Sequence, residues 1–110
     1  MSTTISNPGF SAKDPTERIP IGFDFAADMA ALGSSLAAAP PPVVTVARFN
    51  GADDAVPSAM LDGAPWIDGN TVRQWVVGGV EGCRYLWRCE AHSLNGAKVA
   101  LAGTMLVRTK

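Results

Sequence analysis

The sequence predicts an all-β protein, an antiparallel β-sandwich of about seven strands with one short helical turn and an extended N-terminal arm. Several runs alternate between apolar and polar residues, which is typical of strands that are buried on one face. Turn dipeptides such as Asn-Gly, Asp-Gly and Gly-Gly divide the 110 residues into short segments. One stretch, residues 82–107, has the complete pattern of a β-hairpin.

The hairpin at residues 82–107 has the clearest strand pattern in the sequence, and the other segments are interpreted in relation to it. In its first arm the odd positions from Cys83 to Ala91 are apolar, and the even positions are mostly charged. In its second arm the apolar side chains of Val99, Leu101, Met105 and Val107 share one face. Asn95-Gly96 stands between two alternating runs, which is a strong hairpin signal.

The length of the hairpin loop follows from the facing of the side chains. A two-residue turn would put the aromatic residues of the first arm and the apolar residues of the second on opposite faces. A three-residue loop, Leu94-Asn95-Gly96 with Gly96 left-handed, puts them on the same face. We therefore predict the pairs Tyr85–Met105, Trp87–Gly103, Cys89–Leu101 and Ala91–Val99, with His92 opposite Lys98 on the outer face.

The N-terminal part divides into an arm, residues 1–16, and the start of the sandwich, residues 17–110. The arm is polar, and taken alone it predicts disorder. Ile5 and Phe10 are its only large apolar side chains. We therefore expect these two residues to anchor the arm when it packs on a neighbouring subunit.

The next segments predict a strand and a short helix. Residues 17–25 alternate and form the first strand, with Pro20 at a sheet edge because proline cannot donate a ladder hydrogen bond. Residues 26–32 have a helical composition but are long enough only for a turn or two. Gly33 ends this helical turn, as glycine does after a helix.

The middle of the chain predicts further short strands between turns. We expect strands at residues 34–39, 43–49, 58–61 and 71–77, and a loop or a broken strand at residues 64–69. The three prolines at residues 40–42 form a stiff extended connector. Asp53 and Asp54 are expected to be solvated loop residues.

The strand at residues 71–77 has two possible facings. One buries Val72, Gln74 and Val76, and the other buries Arg73 and Trp75. The first is favoured because a buried Arg without a partner costs more than a buried Gln. Trp75 then becomes an exposed aromatic residue, a type enriched in binding hot spots, and Trp66 is the second candidate of this kind. A core position for Trp75 stays open as the alternative.

Composition and charge exclude several function classes. The net charge is −1 and the nine basic residues are scattered, so no basic stripe for nucleic acid is present. No apolar run approaches the roughly 20 residues of a membrane helix, and the N-terminus lacks a signal-peptide pattern. Only 17% of residues are charged against 47% apolar, which is compatible with a surface that other subunits cover and equally with a soluble module of the secreted type.

The residues for catalysis or metal binding are missing. Cys83 and Cys89 lie ~20 Å apart on one strand, too far for a disulfide, and are expected to be reduced core residues. One His and two Cys cannot assemble a zinc site, and Asp53-Asp54 alone is a weak calcium signal. We predict a non-enzymatic protein with no catalytic, metal or cofactor site; a small hydrolase would need a pocket that joins His92 to an acid.

A series of short motifs runs from Lys13 onward: Lys13-Asp14-Pro15, Phe23-Asp24-Phe25, Val76-Val77-Gly78-Gly79, Gly82-Cys83-Arg84-Tyr85, and Asn95-Gly96 followed by Leu106-Val107. In this order the motifs resemble the fibre–tail adaptor family of tailed bacteriophages. The chain departs from the family at residues 34–42, which lack the Trp that the family has soon after its second strand begins. The Gly-x-x-Tyr motif also resembles the tyrosine corner of Ig-like sandwiches.

The resemblance implies an Ig-like component of the virion that bridges tail and fibres. Its partners would be other virion proteins, in a symmetric assembly of several copies, without nucleic acid, membrane or cofactors. A capsid decoration or collar protein is a variant of this hypothesis. The alternative from another class is a carbohydrate-binding β-sandwich module, which would use Trp66 and Trp75 as stacking platforms on one face.

Overall fold

Two three-stranded antiparallel sheets form the body of the protein in the computed structural model, which describes residues 10–110. The elements are β1 (Ile19–Asp24), α1 (Ala26–Leu32), β2 (Val43–Gly51), a 3-10 helix (Pro57–Met60), β3 (Leu61–Asp68), β4 (Thr71–Val76), β5 (Cys83–His92) and β6 (Lys98–Leu106). The first sheet has the order β1-β4-β3 and the second the order β2-β5-β6. The predicted all-β sandwich with one short helix is confirmed, with six strands.

The core lies between the two sheets and is filled by alternate residues of each strand. Every odd position of β5 from Cys83 to Ala91 is buried, with Trp87 and Tyr85 as its largest side chains. The first sheet contributes Ile21 and Phe23 from β1. Beside them the core contains Phe25, Met29, Met60, Val72, Val76, Met105 and Val107. The two cysteines are free and buried, as predicted.

The β5–β6 hairpin has the predicted loop and register. The Ser93 N–H donates to the carbonyl oxygen of Ala97 at 2.9 Å, so three residues form the loop, and Gly96 has a φ of 92°. The observed pairs include Tyr85–Met105, Trp87–Gly103, Cys89–Leu101, Ala91–Val99 and His92–Lys98. Gly103 opposite Trp87 leaves room for the indole, which is fully buried.

Two of the predicted strands are absent among residues 10–110. Residues 34–39 form only a single bridge, between Leu36 and Ser93, because the Leu36 N–H is bound by the Asn70 side chain instead of a neighbouring strand. Residues 58–61 lie mostly in the 3-10 helix, which Pro57 starts because its fixed φ suits a first helical turn.

The segment predicted as a loop or a broken strand belongs to β3. Its pairing with β4 is interrupted by a register shift between Asp62 and Trp66, which is the break that the sequence indicated. Pro65 lies within this interruption, where no ladder hydrogen bond is needed.

The facing of β4 is the one that the sequence favoured. Val72, Gln74 and Val76 are buried, and Arg73 and Trp75 point to the outer face of the first sheet. The buried Gln74 amide donates to the carbonyl oxygens of Gly63 at 3.0 Å and Trp75 at 2.9 Å. These bonds offset the cost of burying the amide.

Tyr85 connects three parts of the chain at one end of the sandwich. Its hydroxyl donates to the Asp54 carboxylate at 2.6 Å and accepts from the Val80 N–H at 2.9 Å. Burial, and then the hydrogen bond to Asp54, raise the pKa of Tyr85, so the hydroxyl keeps its proton at neutral pH. Asp54 is therefore a partner of the core and not the solvated loop residue that we expected.

Lys13 connects the N-terminal segment to the same end of the sandwich. Its side chain is fully buried, and its ammonium donates to the carbonyl oxygens of Gly78 at 2.7 Å and Asp14 at 2.9 Å. Burial lowers the pKa of Lys13. Lys13 also forms a parallel bridge with Val107. Two of the short motifs, Lys13-Asp14-Pro15 and Gly78-Gly79, thus meet in space.

Gly78 and Gly79 differ in the space that the structure leaves for a side chain. A Cβ at Gly79, where φ is 100°, would lie 2.8 Å from Val107 Cγ2 and 2.9 Å from Met60 Cε, whereas a Cβ at Gly78, where φ is 62°, meets nothing within 4 Å. We expect Gly79→Ala to lower the free energy of unfolding by about 1–3 kcal/mol more than Gly78→Ala, because only Gly79→Ala overpacks the core. Urea unfolding of both variants checks this, and equal losses would contradict it.

Removal of the Tyr85 hydroxyl tests the connection to Asp54. Tyr85→Phe leaves the Val80 N–H without its acceptor, and we expect the free energy of unfolding to fall by about 1–3 kcal/mol. Asp54→Asn is the matched control, since its amide oxygen can still accept from the hydroxyl and the loss should be smaller. Thermal unfolding of the two variants gives the comparison, and a Tyr85→Phe protein as stable as the parent would refute the role of the hydroxyl.

Candidate interaction surface

The outer face of the first sheet brings Trp66 and Trp75 together. The two residues lie on the neighbouring strands β3 and β4, and their facing follows from the burial of Val72, Gln74 and Val76 on the opposite side of β4. We call this face, with Arg18, Asp62, Trp66, Asp68, Arg73 and Trp75, the tryptophan surface. Neither indole lies in the core, and 37% of Trp66 is exposed.

The two indoles are in contact. Their ring centroids are 5.9 Å apart and the ring planes are tilted by 36°. This separation is in the range where aromatic pairs contribute about 0.5–1.5 kcal/mol beyond the area that they bury. The pair therefore holds both side chains in one arrangement on the surface.

Arg18 covers Trp75. Its guanidinium carbon lies 4.0 Å from the centroid of the Trp75 ring, and its Nε donates to the Asp62 carboxylate at 2.6 Å. A cation–π contact of an exposed Arg contributes about 0.5–1 kcal/mol. Because Arg18 occupies one face of the Trp75 ring, a flat ligand would find a less open stacking platform there than on Trp66.

The charges of the tryptophan surface are balanced. Arg18 pairs with Asp62, and the Arg73 Nε lies 2.9 Å from the Asp68 carboxylate. All four side chains are at least 40% exposed, so each pair contributes little to stability. A patch of Trp and Arg with no net charge suits a protein partner, since these residue types are enriched in interface hot spots.

Phe10 and Ile5 are the other interface candidates. Phe10 packs on its own sandwich, with its ring 5.5 Å from the Phe23 ring in an edge-to-face arrangement, and its N–H donates to the Thr104 carbonyl oxygen at 2.8 Å. An open pocket of about 210 Å³ lies beside it, between β1 and Met105. Ile5 lies outside the described residues.

The outer face of the second sheet carries a cluster of charged side chains around Glu90. Lys98 Nζ lies 3.2 Å from the Glu90 carboxylate, and Arg88 donates to the same carboxylate. Hydrogen bonds from Arg88 and then Lys98 lower the pKa of Glu90. Glu90 is thus occupied by two cations, and His92, which lies on this face opposite Lys98, does not share a pocket with a thiol.

The arrangement of the cysteines does not suit nucleophilic chemistry. Burial raises the pKa of the Cys89 thiol to about 12, which is the opposite of the shift that activates a thiolate. Within residues 10–110, no group of three or more His, Cys, Asp and Glu side chains is placed to hold a metal ion. In the same part of the chain, α1 and the 3-10 helix are both too short to cross a membrane.

Sequence reasoning found the two tryptophans but missed their supporting residues. Arg18 precedes β1, and its even number shares the outer face with Pro20 and Gly22, so alternation could have placed it there. The burial of Lys13 had no signal in the sequence, because a Lys beside Asp and Pro is typical of an exposed turn.

The comparison with protein families identifies one match. The model of the family described as "Podophage GP4 fiber-tail adaptor protein gp77" matches residues 13–105. The matched region begins at the buried Lys13 and ends in β6, so it includes the whole tryptophan surface. No curated protein shows significant similarity to the chain.

The thiols provide a test of the absence of a reactive centre. Cys83 and Cys89 are fully buried, so we expect neither to react with an aromatic disulfide reagent in the folded protein at neutral pH, and both to react in denaturant. The absorbance of the released thiolate measures the reaction. Rapid modification of one thiol under native conditions would contradict the prediction.

Proposed function

The chain belongs to the podophage fibre–tail adaptor family, and from this we propose that several copies of it form a symmetric assembly between tail and fibres. As a member of this family it is a structural, non-enzymatic component of the virion that binds other virion proteins. Membership of the family does not specify the number of copies or the surface that each partner contacts, and these two points are our proposals.

The tryptophan surface is the observation that carries our assignment of the docking site. Trp66 packs against Trp75, and Arg18 covers Trp75, so little conformational entropy is lost when a partner covers the two indoles. The neighbouring ion pairs would form the polar rim that surrounds such a hot spot. We therefore assign Trp66 and Trp75 to the contact with a tail or fibre protein.

A second, different outer face supports an assembly of several copies. The second sheet presents small side chains at Ala47, Ala100 and Ala102, between cations such as Arg88 and Lys98. Two unlike faces on one subunit suit head-to-tail contacts, which close into a ring when the rotation allows it. The low formal charge of −1 is compatible with such close neighbours.

We also propose that the chain has two parts, an arm of residues 1–16 and a sandwich of residues 17–110. Residues 10–13 support a fixed base for the arm, since Phe10 and Lys13 bond to the edge of β6. We propose that Ile5 is the arm residue that contacts a neighbour, and that Phe10 sets the direction in which the arm leaves the sandwich.

Chemical cross-linking of intact virions tests the position. We expect cross-links from this protein to tail and fibre proteins and to other copies of itself. Cross-links to the capsid shell alone would instead indicate a decoration protein and would overturn the proposal. Binding of purified protein to a glycan array, with loss of binding in Trp66→Ala, would favour the carbohydrate-binding alternative.

Substitution of Trp66 tests the docking site. We expect Trp66→Ala to weaken the binding of purified protein to particles that lack it by at least about 2 kcal/mol, which is the loss typical of a hot-spot aromatic. Leu94→Ala is the matched control, since Leu94 is 72% exposed at the tip of the β5–β6 hairpin, away from the tryptophan surface. Urea unfolding of both variants separates lost binding from lost folding, and equal binding of the two variants would contradict the assignment.

A further inference from the structure

The four edge strands of the two sheets differ in how their edges are protected. An unprotected edge presents unpaired N–H and C=O groups to other chains, and proteins protect such edges with proline, bulges, charged residues or covering segments. The edges here are β1 and β3 in the first sheet and β2 and β6 in the second. The strand that lacks protection indicates where another extended segment can pair.

Two of these edges are protected by proline, and a third is covered over part of its length. β1 contains Pro20, which has no N–H, and β3 contains Pro65 together with a shift in its register. β6 is covered at its C-terminal half, where the Phe10 N–H donates to Thr104 and the Lys13 N–H donates to Leu106. The chain itself thus occupies that part of the β6 edge.

The register determines which groups of β2 point to its open edge. Val107 N–H donates to the Cys83 carbonyl oxygen, so the odd residues of β5 point their backbone groups toward β6, and the even residues point theirs toward β2. In β2 the partners of these even residues are Val43, Thr45 and Ala47. The backbone groups of Val44 and Val46 therefore point away from β5, and within residues 10–110 they make no backbone hydrogen bond outside the strand.

The open part of β2 is short, apolar and bounded on both sides. Residues 43–47 carry no charge and no proline; the run of prolines ends just before them at Pro42, and a bulge between Arg48 and Asn50 follows. Val46 faces the core opposite Trp87 but stays half-buried, because it lies on the outermost strand of the sheet. Val43 is 52% exposed. This window has the length for one added strand of four or five residues.

We propose that this edge of β2 is an acceptor for strand addition, and that its occupant is the N-terminal segment of a second copy of the chain. This inference rests on the proposed multi-copy assembly and names the contact that joins neighbouring copies. Residues 2–6 of the second copy pair with residues 43–47, and Ile5 covers Val46 at the margin of the core.

The position and length of the N-terminal segment favour this occupant. Residues 2–6 lie within eight positions of Phe10, and a stretch of that length reaches a neighbouring subunit when extended. The run Thr3-Thr4-Ile5 is β-branched, without charge or proline, and thus suited to a strand. Pro8 has no N–H, so it cannot donate to a carbonyl of β6 as Phe10 does.

The opposite placement of donor and acceptor favours a second copy over the same copy. Phe10 leaves the described chain beyond β6, whereas β2 is the far edge of the same sheet. To reach its own β2, the segment would have to cross three strand spacings of about 4.8 Å and spend several residues on the way. A neighbour whose β6 edge lies beside β2 brings the segment there directly, and such contacts between unlike edges close into a ring.

Amide hydrogen exchange tests the contact. A ¹⁵N-labelled chain without residues 2–9 is mixed with an unlabelled peptide of residues 1–9, so that any protection must come from another molecule. We expect exchange of the Val44 and Val46 amides to slow by a factor of 1 + [peptide]/Kd, about tenfold at a peptide concentration ten times the Kd. The Trp87 amide, which bonds to β6, is the internal control and should be unchanged.

Two matched pairs of variants make the test specific. Val46→Pro removes an N–H that points to the open edge and leaves the β2–β5 ladder intact, and we expect it to abolish the effect of the peptide, whereas Val46→Ala should retain it. A peptide with Ile5→Asp should bind more weakly than one with Ser2→Asp. Unchanged exchange at a millimolar concentration of peptide, or an equal effect on Val46→Pro, would overturn the proposal.

The remaining outcomes separate this inference from the proposed function. Protection of Val44 and Val46 in the full chain at a dilution where it is monomeric would show that its own segment is the occupant, and would overturn the role of a second copy. Protection in virions without any binding of the peptide would assign the edge to another virion protein and would overturn it as well. Trp66→Ala should leave the amide exchange of Val44 and Val46 unchanged. A negative result for the β2 edge therefore does not contradict the docking site at the tryptophan surface, and the reverse also holds.

Discussion

The register of the β5–β6 hairpin is the constraint on which the rest of the structure depends. The three-residue loop before Ala97 places the odd residues of both strands on the core face, so Trp87 meets Gly103 and Tyr85 meets Met105. A shift of one residue would put these aromatic side chains and the apolar side chains of β6 on opposite faces of the sheet. The same register decides which backbone groups of β6 receive residues 10–13, and which groups of β2 remain at an open edge.

The motifs that connect this chain to its family are mainly structural. Lys13 reaches the carbonyl oxygen of Gly78, Gly79 leaves room for Val107, and Tyr85 binds the Val80 N–H and Asp54. These contacts lie at one end of the sandwich, where the chain crosses from the first sheet to the second. They explain how short motifs far apart in the sequence can specify one arrangement without any reactive group among them.

Function in this protein follows from surfaces and not from a pocket with chemistry. Burial raises the pKa of the Cys89 thiol, which makes it less reactive, and several charged side chains of the outer faces, such as Arg73 and Lys98, are paired with carboxylates. The described residues offer two such features, the pair of tryptophans on the outer face of the first sheet and the β2 edge of the second sheet. One is a face of side chains and the other a row of backbone groups, so they suit different kinds of contact.

The sequence by itself determined the sandwich class, the hairpin loop and its register, and the burial of the cysteines, and it favoured the outward facing of Trp75 without deciding it. Each of these depends on local alternation and turn chemistry, which a single stretch of chain contains. Only the tertiary structure decided that residues 34–39 and 58–61 are not strands. It also decided that Lys13 bonds to Gly78, that Asp54 bonds to the core residue Tyr85, and that Arg18 stacks on Trp75. The reason is physical: the buried Lys13 ammonium and the half-buried Asp54 carboxylate are stabilised by partners that are remote in sequence, Gly78 and Tyr85, and no local pattern indicates which distant groups the fold brings to them.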